Sequence, residues 1–245
     1  MRTQLLLCIS AVILLSLPAN MDLGFQDTND TRTEFNYEAE FQADGKPTFT
    51  EEDYKRRIEG LSGDIEFSYN KTVRRHIQNY LRYAPHLTER LIGKTTIYFP
   101  VFEEALEASG LPTDLKYLSV VESKLEPDVI SPVGAGGLWQ FMPGTAREKG
   151  LTINQLVDER FDAHRSTEAA IAYLKELNEL YNDWILAIAA YNCGPGRVNK
   201  AIRRANSKNF WKLYPHLPKE TRSYVPAFIS VAYLMNYYSL HGLNP

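Results

Sequence analysis

Cysteine is scarce in this sequence, which has two cysteines among its 245 residues. Cys8 lies inside an apolar stretch at the amino terminus, and Cys193 lies far from it near the other end. If the amino-terminal stretch is removed, one cysteine remains and cannot form an internal disulfide. The sequence therefore predicts a fold that depends on its hydrophobic core.

The amino-terminal apolar run is short. It extends from Leu5 to Leu17, about thirteen residues, whereas a membrane-spanning helix needs about twenty. Arg2 precedes the run and Pro18-Ala19 follows it, which is the pattern of a signal peptide over residues 1–19. A retained membrane anchor is the alternative. We expect export to the periplasm or cell envelope.

Several kinds of functional site have no signature here. There is no dense Lys/Arg cluster with interleaved aromatic residues, which argues against nucleic-acid binding. No phosphate-binding loop or dinucleotide fingerprint is present. The five histidines lack the spacing of metal ligands, so we expect no metal and no cofactor. These histidines are His76, His86, His164, His216 and His241.

Charge divides the chain into two unequal parts. Residues 21–53 contain ten acidic and two basic residues, whereas residues 54–245 contain twenty-four basic and twenty acidic residues. The acidic stretch lacks sustained hydrophobic periodicity, and we predict a disordered linker over residues 20–53. The mildly positive remainder, with an excess of four basic residues, favours an anionic polymer as a partner.

Hydrophobic periodicity predicts a mainly α protein, with no convincing alternating strand run longer than Thr95 to Phe99. Residues 54–110 are predicted to form an amino-terminal helical extension that packs on a catalytic domain over residues 111–245, since no linker divides the two. The Gly- and Pro-rich residues 131–144 cannot form one regular element. A first helix is predicted to begin near Thr50, and further helices are predicted over residues 71–83, 97–109, 113–124, 145–148, 166–181, 184–191, 196–205 and 222–240. The helix 97–109 should end at the Gly110 stop. The predicted caps are Thr113 or Asp114 for the helix 113–124, Ser166 for the helix that ends at Tyr181, and Asp183 for the helix 184–191.

Glu122 is the first candidate for a chemical role. On a helix it projects between Leu115 and Leu118, on the apolar side. Burial there disfavours the ionised carboxylate and raises the pKa, which suits a general acid near neutral pH. The alternative is a buried glutamate held by a structural partner.

Three further elements could bind a ligand, and each also has a structural explanation. In the loop from Gly134 to Gln140, glycines permit close backbone approach, Trp139 offers an apolar face to a pyranose ring, and Gln140 suits an N-acetyl group. A tryptophan is, however, more often part of a core. Asn192 could reach a substrate amide or simply end its helix. Tyr224, near a helix start, could equally be a packing residue.

These four elements, in this order, resemble the lytic transglycosylases of the soluble-lytic-transglycosylase, goose-lysozyme-like superfamily. The matching motifs are Glu122-Ser123, Gly137 through Gln140, Ala190-Tyr191-Asn192 and Tyr224. Further matches are Leu111-Pro112, Phe141-Met142-Pro143, Thr145-Ala146, Val157 through Arg160 and Gly194 through Val198. The resemblance covers about residues 71–240. Two departures are Cys193, where the family usually has alanine, and Asp162-Ala163, where Asp-Pro is frequent.

The resemblance implies a lysozyme-like helical domain with Glu122 as the single catalytic carboxylate. It implies cleavage of the β-1,4 bond between N-acetylmuramic acid and N-acetylglucosamine, with formation of a 1,6-anhydro end. It also implies substrate binding by residues around Glu122, namely Ser123, Trp139, Gln140, Tyr191, Asn192 and Tyr224.

Peptidoglycan strands are then the expected partner of a monomeric, envelope-associated enzyme. Two alternatives stay open: a goose-type muramidase that hydrolyses the same bond, and a non-catalytic peptidoglycan-binding or scaffold protein. Glu126 and Asp128 are available as second carboxylates for hydrolysis.

Overall fold

The computed structural model describes residues 49–245. These residues form helices and connecting turns, and their extended segments pair through isolated β-bridges. This confirms the mainly α class. The ten α-helices of this part of the chain are α1 Glu51–Gly60, α2 Lys71–Gln78, α3 Pro85–Ala108, α4 Tyr117–Ser123, α5 Pro143–Glu148, α6 Ala163–Tyr181, α7 Trp184–Cys193, α8 Pro195–Ala205, α9 Phe210–Leu213 and α10 Lys219–Tyr237. Short turns join them, namely the π-helical turn Asn79–Tyr83 and the 3-10 turns Thr113–Lys116, Glu159–Phe161, Tyr214–His216 and Tyr238–His241.

Helix α3 is nearly twice as long as predicted, because it begins at Pro85 rather than near residue 97. Proline is favoured in a first turn, where its missing N–H needs no partner. The predicted stop is confirmed at Gly110, whose φ is 66°. Gly110 donates to the Glu107 carbonyl at 3.0 Å and Leu111 donates to the Leu106 carbonyl at 3.0 Å, the two bonds of a Schellman motif.

Two of the predicted helix caps are wrong. Neither Thr113 nor Asp114 caps α4, because the chain first makes a 3-10 turn and α4 begins at Tyr117. Ser166 is fully buried inside α6 rather than at its start. Asp162 caps α6 instead, since its carboxylate accepts from the Arg165 N–H at 2.8 Å.

The amino-terminal extension shares one hydrophobic core with the rest of the described chain. Thr50 and Asp53 form a capping box at the start of α1, so the predicted linker cannot extend through residue 53. Tyr54 packs against Tyr233 of α10, with ring centroids 5.3 Å apart. The predicted signal peptide and residues 20–48 of the predicted linker lie outside the described residues. No helix among residues 49–245 combines the length and apolar character needed to cross a membrane.

Helix α7 runs through the centre of this core. Its residues from Leu186 to Cys193 are all buried, which confirms the prediction of a helix apolar on nearly every side. Asp183 caps it as predicted, accepting from the Leu186 N–H at 3.0 Å. Helix α10 contacts both α4 and α7, so the residues at the ends of these helices are brought together.

Candidate active site

Glu122 lies in the last turn of α4 and is completely buried. The helix ends directly after it, because Lys124 and Leu125 adopt left-handed φ angles of 53° and 58°. The Tyr224 hydroxyl on α10 donates a hydrogen bond of 2.6 Å to Glu122 Oε1. Two candidates that are 102 positions apart in sequence are therefore in direct contact.

Burial determines the protonation of this pair. Loss of solvent raises the pKa of Glu122 to about 8; the Tyr224 hydrogen bond opposes that rise, and the negative charge of Glu220 adds to it. Burial and the neighbouring Glu122 raise the pKa of Tyr224 well above its usual value. At neutral pH the tyrosine therefore keeps its proton as a donor, and the carboxyl group is neutral.

The two carboxyl oxygens of Glu122 have different surroundings. Oε1 accepts from Tyr224, whereas Oε2 is buried without a hydrogen-bond partner among the described residues. Since Oε1 is occupied by a donor, the proton of the neutral acid belongs on Oε2. The Oε2–H group is therefore an acid without a hydrogen-bond acceptor among the described residues. A ligand can reach it only by displacing the atoms that cover Oε2.

The loop from Gly134 to Gln140 is folded tightly beside α4. Gly137 has a φ of 79°, and a Cβ atom there would lie 1.9 Å from the Arg160 carbonyl oxygen, so a side chain is excluded. Gln140 adopts a φ of 47° and donates from Nε2 to the Gly137 carbonyl at 2.9 Å. Its Oε1 atom is buried without a hydrogen-bond partner among the described residues, and so remains available as an acceptor.

Ser123 and Tyr191 hold this loop rather than face a ligand. The Ser123 hydroxyl donates to the Ser119 and Leu138 carbonyls at 2.9 and 3.0 Å. The Tyr191 hydroxyl donates to the Trp139 carbonyl at 2.9 Å. Both predicted site residues therefore act on the backbone of the loop.

Trp139 does not offer a stacking face, and that prediction is wrong. Its side chain is fully buried. The indole N–H donates to Thr167 Oγ1 at 2.9 Å, and the ring lies edge-on to Phe102 with centroids 5.1 Å apart. The ring belongs to the core between α3 and α6, which is the alternative in which Trp139 is a packing residue.

Asn192 is the last predicted site residue, and it lies at the carboxyl end of α7. Its Oδ1 atom accepts from the Thr221 hydroxyl of α10 at 2.7 Å. This bond fixes the amide next to the helix that carries Tyr224.

Sequence reasoning missed Glu220 and Thr221 because the predicted helix began at residue 222, whereas α10 begins at Lys219. Glu220 is one turn before Tyr224, and positions four apart on a helix share a face. The available signal was Pro218, which directly precedes the helix.

Arg160 is a second missed residue, and it fixes the two ends of the loop. Its guanidinium donates to the Gly134 and Phe141 carbonyls at 2.7 and 3.1 Å and pairs with Asp158 at 2.7 Å. The side chain is largely buried. In the sequence Arg160 appears only within the motif Val157 through Arg160, because its targets are backbone carbonyls whose positions the sequence does not give.

A cavity adjoins the carboxyl end of α4. It has a volume of about 250 Å³ and is lined by residues that include Ser123, Lys124, Lys94 and Glu126. Glu126 is exposed and pairs with Lys94, so this candidate second carboxylate is engaged at the surface. Within residues 49–245 no three His, Cys, Asp or Glu side chains are grouped as metal ligands.

Comparison with known proteins places these residues in a family context. Residues 99–214 match the model of the transglycosylase SLT domain. The chain is 34% identical over 180 residues to membrane-bound lytic murein transglycosylase D of Escherichia coli K12, covering 71% of this chain and 39% of that protein. It is 33% identical over 154 residues to the soluble lytic murein transglycosylase of the same strain, covering 57% of this chain and 22% of the relative. The chain therefore spans less than half of the length of either relative.

Solved structures give the same match in three dimensions. The 70 kDa soluble lytic transglycosylase in complex with bulgecin A superposes with a TM-score of 0.54 at 25% identity, covering 69% of this chain and 30% of that one. The 70 kDa enzyme from Escherichia coli superposes with a TM-score of 0.52 at 24% identity, covering 66% and 30%. The lysozyme-like helical fold predicted from sequence is thereby confirmed.

Proposed function

Because the chain belongs to the transglycosylase SLT domain family, we propose that it is a lytic murein transglycosylase. Its substrate would be the β-1,4 bond from N-acetylmuramic acid to N-acetylglucosamine in peptidoglycan. One observation carries the proposal: Glu122 is fully buried, with Tyr224 on Oε1 and no hydrogen-bond partner for Oε2 among the described residues, and this burial raises its pKa to about 8.

In the first step, Glu122 acts as the general acid. Its Oε2–H group donates the proton to the glycosidic oxygen as the bond from the muramic C1 atom to that oxygen breaks. The substrate's own acetamido oxygen can support the positive charge at C1. A pKa near the working pH suits this transfer, which contributes roughly 10² to 10⁴-fold to such reactions.

In the second step, the same group acts as a base. The Glu122 carboxylate takes the proton from the muramic C6 hydroxyl, and the O6 atom forms a bond to C1 and closes a 1,6-anhydro ring. The proton that left Glu122 is thereby replaced and no water is consumed. The Tyr224 hydroxyl stabilises the carboxylate between the two steps, because a charge-assisted hydrogen bond is stronger than a neutral one.

Neighbouring residues position the sugar and the loop. We infer that Gln140 Oε1 accepts from an acetamido N–H of the glycan, because this buried atom has no hydrogen-bond partner among the described residues. Asn192 contributes an amide fixed by Thr221. Ser123 and Tyr191 act indirectly by holding the backbone of residues 138 and 139. Trp139 has no part in stacking the sugar.

The relatives support the same chemistry, since two of them are named murein transglycosylases. We further propose that the protein acts in the cell envelope, where peptidoglycan lies. Export by residues 1–19 and a monomeric state stay predictions from sequence.

Product analysis tests the proposal. Purified peptidoglycan sacculi digested with the protein should release muropeptides with 1,6-anhydromuramic ends, which mass spectrometry finds one water lighter than reducing ends. Glu122→Gln should abolish release, because an amide cannot donate the proton.

The matched control is Glu126→Gln, which neutralises an exposed carboxylate four positions away and should release products at the native rate. Products with reducing ends would instead identify a hydrolytic muramidase. Equal release by the native protein and Glu122→Gln would remove Glu122 from the mechanism.

A further inference from the structure

A second cavity lies at the amino-terminal end of α7, away from Glu122. It has a volume of about 440 Å³, and its lining includes Trp184, Trp211, Asn178, Asp64 and Glu66. This volume is within the range of small-molecule and sugar sites. Trp184 is the first residue of α7 and Asn192 is near its last. Their eight-residue separation corresponds to roughly 12 Å along a helix, so this cavity and the candidate active site are separate.

The cavity has two half-buried tryptophans at its wall. Trp211 is held rigidly, because its indole N–H donates to Ser68 Oγ at 2.6 Å and its ring stacks on Tyr214 with centroids 6.0 Å apart. The indole N–H of Trp184 has no hydrogen-bond partner among the described residues and is free to donate to a ligand. Flat apolar rings with a donor at the edge suit the C–H face and hydroxyls of a pyranose.

Polar groups that accept hydrogen bonds complete the lining. The Asn178 Oδ1 atom is buried and has no hydrogen-bond partner among residues 49–245. An acceptor in that state calls for a donor from a ligand. Asp64 and Glu66 add exposed carboxylates at the rim. Three acceptors beside aromatic rings match the many hydroxyl donors of a sugar, whereas their negative charge disfavours an anionic ligand.

We propose that this cavity is a second glycan-binding site, which takes an uncharged N-acetylglucosamine unit of a glycan strand while a separate part of the strand occupies the active site of the proposed function. The site retains the enzyme on the glycan between cuts. Binding there involves no bond cleavage and does not depend on Glu122.

Calorimetric titration with a soluble tetramer of N-acetylglucosamine tests the site. The full chain carrying Glu122→Gln should show two binding events, since the tetramer should also bind at the active site of the proposed enzyme. Adding Trp184→Ala should weaken one event by about tenfold or more and leave the other unchanged. Trp184→Phe should keep both events, because it retains an aromatic face. An unchanged titration in the Trp184→Ala protein overturns the proposal.

A second measurement separates this site from the proposed function. With Glu122 intact, Trp184→Ala should cut a short soluble muropeptide at the native rate yet be retained less on insoluble sacculi. Ile97→Ala, which removes a side chain 64% exposed on α3, should change neither property. If Trp184→Ala fails to fold, judged by near-ultraviolet circular dichroism, Asn178→Ala replaces it, because this change removes the buried acceptor Oδ1 from the cavity wall. That variant must lower sacculus retention, and native retention refutes the site. Loss of cutting by the native protein would refute the enzyme but not the tetramer binding.

Discussion

The Tyr224 hydroxyl and the Glu122 carboxyl share one hydrogen bond, and its direction determines how the acid behaves. Tyrosine donates to Oε1 at 2.6 Å, which favours the ionised form of Glu122. Burial favours the neutral form and is the larger influence, since the pKa rises to about 8. The two opposing effects keep the group close to the point where it can both give and take a proton.

Tyr224→Phe should therefore change the pH dependence of catalysis as well as its rate. Without the hydroxyl, the pKa of Glu122 rises further above about 8, so the alkaline decline of kcat/KM should move to higher pH. The maximum rate should fall by about 10- to 100-fold, because the carboxylate formed between the steps loses a charge-assisted donor. The measurement is a pH–rate profile on soluble muropeptides.

The control for this substitution is Tyr181→Phe, which removes another buried tyrosine hydroxyl that donates to the Pro195 carbonyl at 3.2 Å. Its profile should keep the native alkaline limb. A decline at lower pH in Tyr224→Phe would mean that the hydroxyl does not stabilise the carboxylate.

At this scale, sequence spacing was informative about some side chains and not others. The position of Glu122 among the leucines of its helix was enough to predict burial and a raised pKa. The burial of the Trp139 ring was not predictable in the same way, because the ring is enclosed by Phe102 and Thr167, which come from two helices that are distant in sequence. Which neighbours surround a residue depends on tertiary packing that local periodicity does not encode.

At the scale of elements, the glycine loop is positioned by backbone contacts that sequence alone did not reveal. The resemblance identified Gly137 through Gln140 as a motif. The structure adds that Arg160 binds carbonyls at both ends of the loop and that Gly137 abuts the Arg160 carbonyl. The helix end at the Gly110 stop was predictable. The start of α3 was not, because Gly93 and the β-branched Thr95 and Thr96 lower helical propensity just before the predicted start.

Gly137→Ala should destabilise the protein and abolish most activity. The new Cβ would meet the Arg160 carbonyl oxygen at 1.9 Å in a backbone with φ of 79°, so the loop must shift and carry Gln140 with it. Left-handed strain alone amounts to about 1–2 kcal/mol, and the clash adds to it. Urea unfolding and turnover on sacculi measure the two effects.

Gly134→Ala is the matched control, because Gly134 has a φ of 89° but no atom within 4 Å of the added Cβ. It should lose only the strain energy and keep most of its activity. Equal losses in the two variants would contradict a steric role for Gly137.

At the scale of the whole molecule, the helices described within residues 49–110 and those within residues 111–245 share one core that includes Ile58 and Ile77 as well as Ala189. The absence of a linker after residue 54 was enough to predict this packing. The buried titratable groups within the shared core were not all foreseen. His76 is buried, and its pKa falls to about 4 because burial disfavours its charge.

Glu122 and His76 should give folding stability a distinctive pH dependence. The pKa of the Glu122 carboxyl is raised from 4.5 to about 8 in the folded protein. Between these two pH values the folded state holds a proton that the unfolded state has lost, so folding stability falls as the pH rises from 4.5 to about 8. A histidine whose pKa is lowered from 6.5 to about 4 has the opposite effect, and its stability is lost as pH falls. The two effects oppose each other between about pH 4.5 and 6.5, and above 6.5 only that of Glu122 remains.

The unfolding free energy of the native protein should therefore decrease by about 2 kcal/mol between pH 6.5 and 8, at about 1.4 kcal/mol per pH unit for one proton. Glu122→Gln should remove this decrease, since its side chain does not titrate, whereas Glu126→Gln at the exposed ion pair should retain it. Urea unfolding at several pH values measures the slope. The same decrease in Glu122→Gln would show that another group titrates in this window and that Glu122 is ionised in the folded protein at neutral pH. In that case the buried carboxyl could not begin the reaction as an acid, because the proton for the glycosidic oxygen would already be lost to solvent.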